Sequence, residues 1–158
     1  MREVFIALGS NVGVREVFLQ KARFEINRFA RIVAQSSIFE TTPLGNSKQL
    51  FLNQVIEIDT SFSPRKLFCE LKKIEKKLGR ITRSKWSKRE IDLDIIFFGK
   101  KVFWDYDLKI PHAEMAHRHF VLAPLVEIAP NFYHPLLRLS VKTLLKFCPK
   151  ESLKNINW

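Results

Sequence analysis

Ser63-Pro64-Arg65-Lys66-Leu67-Phe68-Cys69-Glu70-Leu71-Lys72-Lys73-Ile74-Glu75-Lys76-Lys77-Leu78-Gly79 carries its own start and stop signals. Ser63 suits an N-cap, and Pro64 suits the first helical position, where a missing N–H costs nothing. Leu67, Leu71, Ile74 and Leu78 recur at spacings of 4, 3 and 4, which is one stripe of a helix. Gly79 ends it. Residues 80–90 lose the periodicity and read as a polar, basic loop. Residues 91–98, Ile91-Asp92-Leu93-Asp94-Ile95-Ile96-Phe97-Phe98, then read as a β-prone strand.

Upstream, Val4 to Gly9 is an apolar run ending in Gly-Ser-Asn, a buried strand and a turn. Residues 14–29 place Val14, Val17, Phe18, Ala22, Phe24 and Phe29 in a roughly helical pattern. Residues 31–40 and 50–60 read as strands joined by the turn formers Thr41 to Ser47. Downstream, Phe120 to Ile128 is apolar around Pro124, and residues 140–147 predict a last short helix. The order β-α-β-β-α-β predicts an α+β fold, a ferredoxin-like βαββαβ sandwich with C-terminal additions. A length of 158 residues predicts a single domain over 1–158.

Composition narrows the classes. A hydrophobic fraction of 46% with 27% charged residues excludes wholesale disorder. No apolar run approaches the ~18 residues of a membrane span. The opening reads as a first strand rather than a signal peptide, so a cytoplasmic location is expected. Cys69 and Cys148 are too few for a disulfide framework or a zinc site, and both are expected in the core.

The net charge of +11 is uneven. From Lys72 to Arg89 there are nine Lys/Arg and one acid, Glu75. Such a block is a solvated face or meets an anion: nucleic acid, an acidic membrane or a polyphosphate.

Asp92-Leu93-Asp94 weighs toward the last. Alternate strand residues share a face, so the two carboxylates point the same way, with Cα atoms ~7 Å apart. They repel unless a cation sits between them. Hard oxygen ligands suit Mg²⁺, and two ions ~4 Å apart can clamp a phosphoryl group. No dinucleotide fingerprint or P-loop occurs, so side chains must hold a nucleotide; Arg80, Arg83, Lys85, Lys88 and Arg89 are candidates. Phe51 and Asn53 share a strand face, an aromatic plate beside a carboxamide, which suits a flat heterocycle or an ordinary core edge. Residues 112–119 hold three of the four histidines at no standard zinc spacing. His112 suits a place near phosphate, whereas His117 and His119 read as a surface turn. Glu75 lies at the margin of the apolar stripe, snorkelling or reaching into a site.

In order and spacing these pieces resemble one family, the 6-hydroxymethyl-7,8-dihydropterin pyrophosphokinases of folate synthesis. The resemblance runs through Ala7-Leu8-Gly9-Ser10-Asn11, Thr42-Pro43-Leu44-Gly45, Phe51-Leu52-Asn53, Glu75, Gly79-Arg80 and Trp86. It continues with Arg89-x-x-Asp92-Leu93-Asp94, Pro111-His112 and Arg118-x-Phe120-Val121-Leu122-x-Pro124-Leu125. It implies an ATP-dependent diphosphotransferase that moves pyrophosphate from ATP to the pterin hydroxymethyl group and leaves AMP. It implies two Mg²⁺ ions on Asp92 and Asp94, with Asp92 also facing the pterin. Thr42, Leu44 and Asn53 would bond the pterin edge, and Phe51 and Phe120 would sandwich it. Arg80, Trp86 and Arg89 would form a catalytic loop closing over the triphosphate, with Trp86 also against the pterin. Lys72, Glu75, Arg89, Ile95, His112 and Arg118 would form the nucleotide site. The partners implied are ATP and the pterin, with no nucleic acid or membrane, for a monomer.

The chain departs from the family at Trp86-Ser87-Lys88-Arg89, where Trp-Gly-Pro-Arg is usual. Phe51 stands where Tyr is often found, Ala113 where an aromatic is, and Lys72 where many members have Gln. The rival class is a small basic RNA-binding α+β module without catalysis, stacking bases on exposed Phe.

Overall fold

In the computed structural model, which describes residues 3–42, 49–79, 89–150 and 153–156, the first apolar run forms β1, Val4–Ser10. Helix α1 follows at Arg15–Ile26. Its buried stripe is Leu19, Ala22 and Ile26, whereas Val14 and Phe24 are exposed. The stripe is therefore rotated by about 100° from the expected one, with Ala22 common to both and Phe18 and Phe29 still packed against the core. The polar spacing around Leu19 hides it from a simple hydrophobic count.

The expected strand over 31–40 forms as two: β2, Arg31–Gln35, and β3, Ile38–Thr41. Both pair antiparallel with β4, Phe51–Asp59, β2 along its second half and β3 along its first. The break falls at Ser36. Its N–H donates to the Val55 carbonyl at 2.9 Å, and its hydroxyl accepts the Val55 N–H at 3.0 Å. A serine side chain thus replaces a ladder carbonyl, as such side chains readily do.

Helix α2 spans Pro64–Lys77, with the Ser63 hydroxyl accepting the Lys66 N–H at 3.2 Å. Gly79 follows at φ +93°, a conformation that glycine adopts at little cost. Strand β5, Asp92–Phe98, completes the centre. β6, Phe103–Trp104, and β7, Lys109–Ile110, make a small ribbon. A 3₁₀ turn at Met115–His117 leads into α3, His119–Ile128, and α4 spans Val141–Phe147. β8, Leu153–Ile156, has no counterpart in the sequence reading and pairs with β3 at the sheet edge.

The architecture is mixed, with one antiparallel sheet in the order β5-β1-β4-β3-β8, β2 also on β4, and four helices among the described residues. Val4, Ile6, Leu8, Leu52, Ile56, Ile58 and Leu93 face α1 and α2 and form the larger core. Leu67, Leu71 and Ile74 close it from α2, each buried side chain contributing about 2 kcal/mol. On the other face Phe5 and Phe97 meet Phe132 at centroid distances of 5.2 and 4.6 Å, under Val121, Leu122 and Leu125 of α3. Cys148 is buried, but Cys69 is exposed, since it lies off the Leu67–Leu71–Ile74 stripe.

Candidate active site

The sheet face under α3 changes character along the strands. At one end it is apolar, with Phe5, Val55, Ile96 and Phe97. At the other it presents Gly9, Phe51, Asn53, Asp92 and Asp94 to a groove. Period-two alternation brings these residues to one face, while Leu93, between the aspartates, goes into the core behind. The register puts Asn53 and Asp92 on either side of Gly9, and Asp94 beside Ala7. Small residues thus make the floor. A β-carbon on Gly9 would stand 3.4 Å from Asn53 Oδ1 and 3.8 Å from Phe51 Cδ1.

Asn53 is 7% exposed, and its Nδ2 donates to Thr41 Oγ1 at 2.8 Å. That bond fixes the carboxamide's orientation beside the Phe51 ring. Thr42 and Phe120 also line the groove, Phe120 from the first turn of α3. Thr41 is a site residue that the sequence reading missed. Only the β3–β4 register, with Thr41 opposite Phe51, reveals it.

Arg89 donates to Asp92 Oδ2 at 2.6 Å. Burial raises the Asp94 carboxyl above its ordinary pKa, and the negative charge of Asp92 raises it further; Lys72, His112 and Arg118 pull the other way. The pair therefore needs positive charge for both carboxylates to ionise.

A second depression adjoins the groove and shares Asp94, His112 and Arg118 with it. Phe68, Ile95 and Ala113 line it. Arg118 is ion-paired with Glu114, and its guanidinium carbon lies 5.7 Å over the Phe120 ring. His112 Nδ1 accepts the Glu114 N–H at 3.2 Å.

Glu75 sits behind the site. It is 4% exposed, and its Oε1 accepts the Leu93 N–H at 2.7 Å. Lys72 Nζ donates to both Glu75 oxygens, at 3.0 and 3.2 Å, and to the Leu93 carbonyl at 3.4 Å. Neither Lys72 nor Glu75 lines the groove. Of the two options at Glu75, the carboxylate reaches inward, and what it holds is the backbone between the aspartates.

Leu44, Arg80 and Trp86, with Arg83, Lys85, Ser87 and Lys88, lie outside the described residues. His117 is exposed at the end of the 3₁₀ turn. His119 is not in a surface turn; it opens α3, half-buried, and its Nδ1 meets no partner among the described residues. Lys73 and Lys77 are exposed and pair with Glu70 and Glu25, as a solvated face would.

Residues 5–130 match the model of the 7,8-dihydro-6-hydroxymethylpterin-pyrophosphokinase (HPPK) family. The chain belongs to this family. It is 40% identical over 155 residues to the 2-amino-4-hydroxy-6-hydroxymethyldihydropteridine pyrophosphokinase of Aquifex aeolicus, covering 98% of this chain and 95% of that one. Its Haemophilus influenzae counterpart is 34% identical over 157 residues, with 98% of each chain covered. The Bacillus subtilis counterpart is 42% identical over 127 residues, 78% of this chain and 76% of the relative.

Among solved structures, wild-type Plasmodium falciparum HPPK-DHPS with STZ-DHP superposes with a TM-score of 0.77. At 15% identity, covering 92% of this chain and 43% of that longer one, this likeness speaks to the fold alone.

No three His, Cys, Asp or Glu among the described residues form a metal-holding group. The carboxylate pair in the groove thus offers hard oxygen donors on two side chains, a donor set that suits Mg²⁺. Mg²⁺ keeps waters and takes one or two carboxylates plus substrate phosphates.

Proposed function

We propose that this chain, acting as a single domain, transfers the pyrophosphoryl group of ATP to the hydroxymethyl group of 6-hydroxymethyl-7,8-dihydropterin. The products are AMP and the pterin diphosphate, a step of folate biosynthesis. One observation carries the reading: Asp94 stands where the Phe51–Asn53 groove meets the depression that holds His112, Ile95 and Arg118. Two ligand sites that meet at paired carboxylates suit a transfer between two substrates.

The hydroxymethyl oxygen attacks the β-phosphorus of ATP. A new O–Pβ bond forms, the Pα–O–Pβ bridge breaks at Pβ, and the electron pair leaves on AMP; the hydroxyl proton is released. A primary alcohol is a weak nucleophile, so the chain's task is positioning and charge stabilisation. Asn53, oriented by Thr41, bonds the heterocycle's edge with Thr42 and Leu44, and Phe51 and Phe120 cover its faces. Asp92 and Asp94 would hold two Mg²⁺ ions, which supply charge neutralisation to the polyphosphate. Arg89 and Arg118, with Arg80 and His112, stabilise charge that develops on the leaving AMP. Trp86 closes against the pterin. Lys72, Glu75 and Ile95 support the nucleotide side, the first two through β5.

With β2 and β3 counted as one broken strand, the order β-α-β-β-α-β on one antiparallel sheet supports a ferredoxin-like reading of the central elements. We also take the protein as a cytoplasmic monomer that uses neither nucleic acid nor membrane; no helix among the described residues is long and apolar enough to cross one. Paired acids in the groove disfavour an RNA backbone there.

The test is an incubation of the protein with ATP, Mg²⁺ and the pterin alcohol. AMP should form only when all three are present. Salt-sensitive RNA binding without AMP formation would favour the rival module.

A further inference from the structure

Asn11 follows the last residue of β1 and is 1% exposed. Its backbone N–H donates to the Arg89 carbonyl at 3.1 Å. The Arg89 N–H in turn donates to Asn11 Oδ1 at 2.6 Å. The β1–β5 ladder has its last pair at Gly9 and Asp92, so these bonds lie just beyond it. The side-chain amide stands in for a backbone carbonyl and extends the pairing to the residue at which the basic segment rejoins the described chain. An N–H needs an acceptor, so the oxygen of the carboxamide must face Arg89. Its Nδ2 is buried and meets no partner among the described residues, and the same holds for the neighbouring Ser10 hydroxyl. Both backbone groups of Arg89 are thus bonded to Asn11.

We propose that Asn11 is a positioning residue for the transfer: it fixes the backbone of Arg89 and thereby aims the guanidinium that meets Asp92. The inference rests on the pyrophosphokinase reading for its effect on rate, but not for its geometry. The Arg89 side chain reaches Asp92 from three residues away. Freeing its backbone lets the guanidinium drift, and a shift of ~1 Å at a reacting centre can cost ~10²-fold in rate.

The test is a double-mutant cycle with amide exchange. Asn11→Ala should lower kcat by about 10- to 100-fold and leave the KM for ATP and pterin within about threefold. In an Arg89→Ala background the same change should have almost no further effect, because Asn11 acts through Arg89. In the ligand-free protein, Asn11→Ala should speed exchange of the Arg89 amide at least tenfold and leave the amides of Ile6 and Leu8 protected. Asn11→Asp, which keeps an acceptor, should retain that protection and most of kcat. It carries the test if the alanine variant does not fold.

An equal loss of kcat in the Arg89→Ala background would overturn the proposal. So would unchanged Arg89 exchange in Asn11→Ala, or an Asn11→Asp variant that loses the Arg89 protection. A wild-type protein that makes no AMP would instead sink the pyrophosphokinase reading, and the exchange data would still decide the clamp.

Discussion

Glu75 and Leu93 are joined by a 2.7 Å hydrogen bond from the strand's N–H to a carboxylate buried on the far side of β5 from the groove. Leu93 separates the two aspartates, so Glu75 sets the height of the strand that carries them. Glu75→Ala should leave that N–H unpaired and Lys72 uncompensated, at a cost of about 2–3 kcal/mol. Glu75→Gln keeps an acceptor and should cost under about 1 kcal/mol. Urea midpoints at constant m-value measure both. Equal losses would mean that charge, not the bond to Leu93, is what matters.

Arg89 lies on Asp92, 2.6 Å from its Oδ2. A cation there can move to the triphosphate as the site fills. Arg89→Ala is expected to slow turnover by about 10²–10³-fold. Pterin affinity by calorimetry should change less than about threefold. Lost pterin affinity with normal turnover of bound substrate would contradict this role.

Asp94 gives a pH dependence whose sign is fixed. Burial and Asp92 raise its folded-state pKa above the ordinary aspartate value of about 3.9. Between those two values the folded state binds more protons than the unfolded one, so stability falls as pH rises. At neutral pH, ligand-free Asp94→Asn should therefore melt higher than the wild type. The gain should vanish below about pH 3, where both states are protonated. The same variant, and Asp92→Ala, should lose nearly all AMP formation while folded. Wild-type turnover in either would remove the carboxylates from the chemistry.

Gly9 tests the groove floor. Its φ lies outside the left-handed region, so alanine fits the backbone, but the new methyl would touch Asn53 Oδ1 at 3.4 Å and Phe51 at 3.8 Å. Gly9→Ala should fold, with a melting shift of only a few degrees, and bind the pterin at least tenfold more weakly. Unchanged pterin affinity in a titration would place the heterocycle elsewhere.

Regular signals were legible: the Ser63–Gly79 helix, the β5 alternation and the shared face of Phe51 and Asn53 follow from local periodicity and capping. What depends on register was not. Thr41 holds Asn53, Asn11 holds Arg89 and Glu75 holds Leu93, bonds between residues 12, 78 and 18 positions apart, beyond the reach of local periodicity. Ser36 split a strand because a hydroxyl can replace a carbonyl, a substitution that hydrophobic patterning does not record. The stripe of α1 was misplaced because exposed Val14 and Phe24 count as apolar in any pattern. The sequence placed the aspartates correctly on one face, but the charge arrangement that makes them costly came only with the fold.

The most direct measurement is ³¹P NMR of the products formed from ATP, Mg²⁺ and 6-hydroxymethyl-7,8-dihydropterin. The account predicts AMP together with a pterin carrying two mutually coupled phosphorus signals, formed in equal amounts. ADP with a pterin monophosphate would show attack at the γ-phosphorus and contradict pyrophosphoryl transfer.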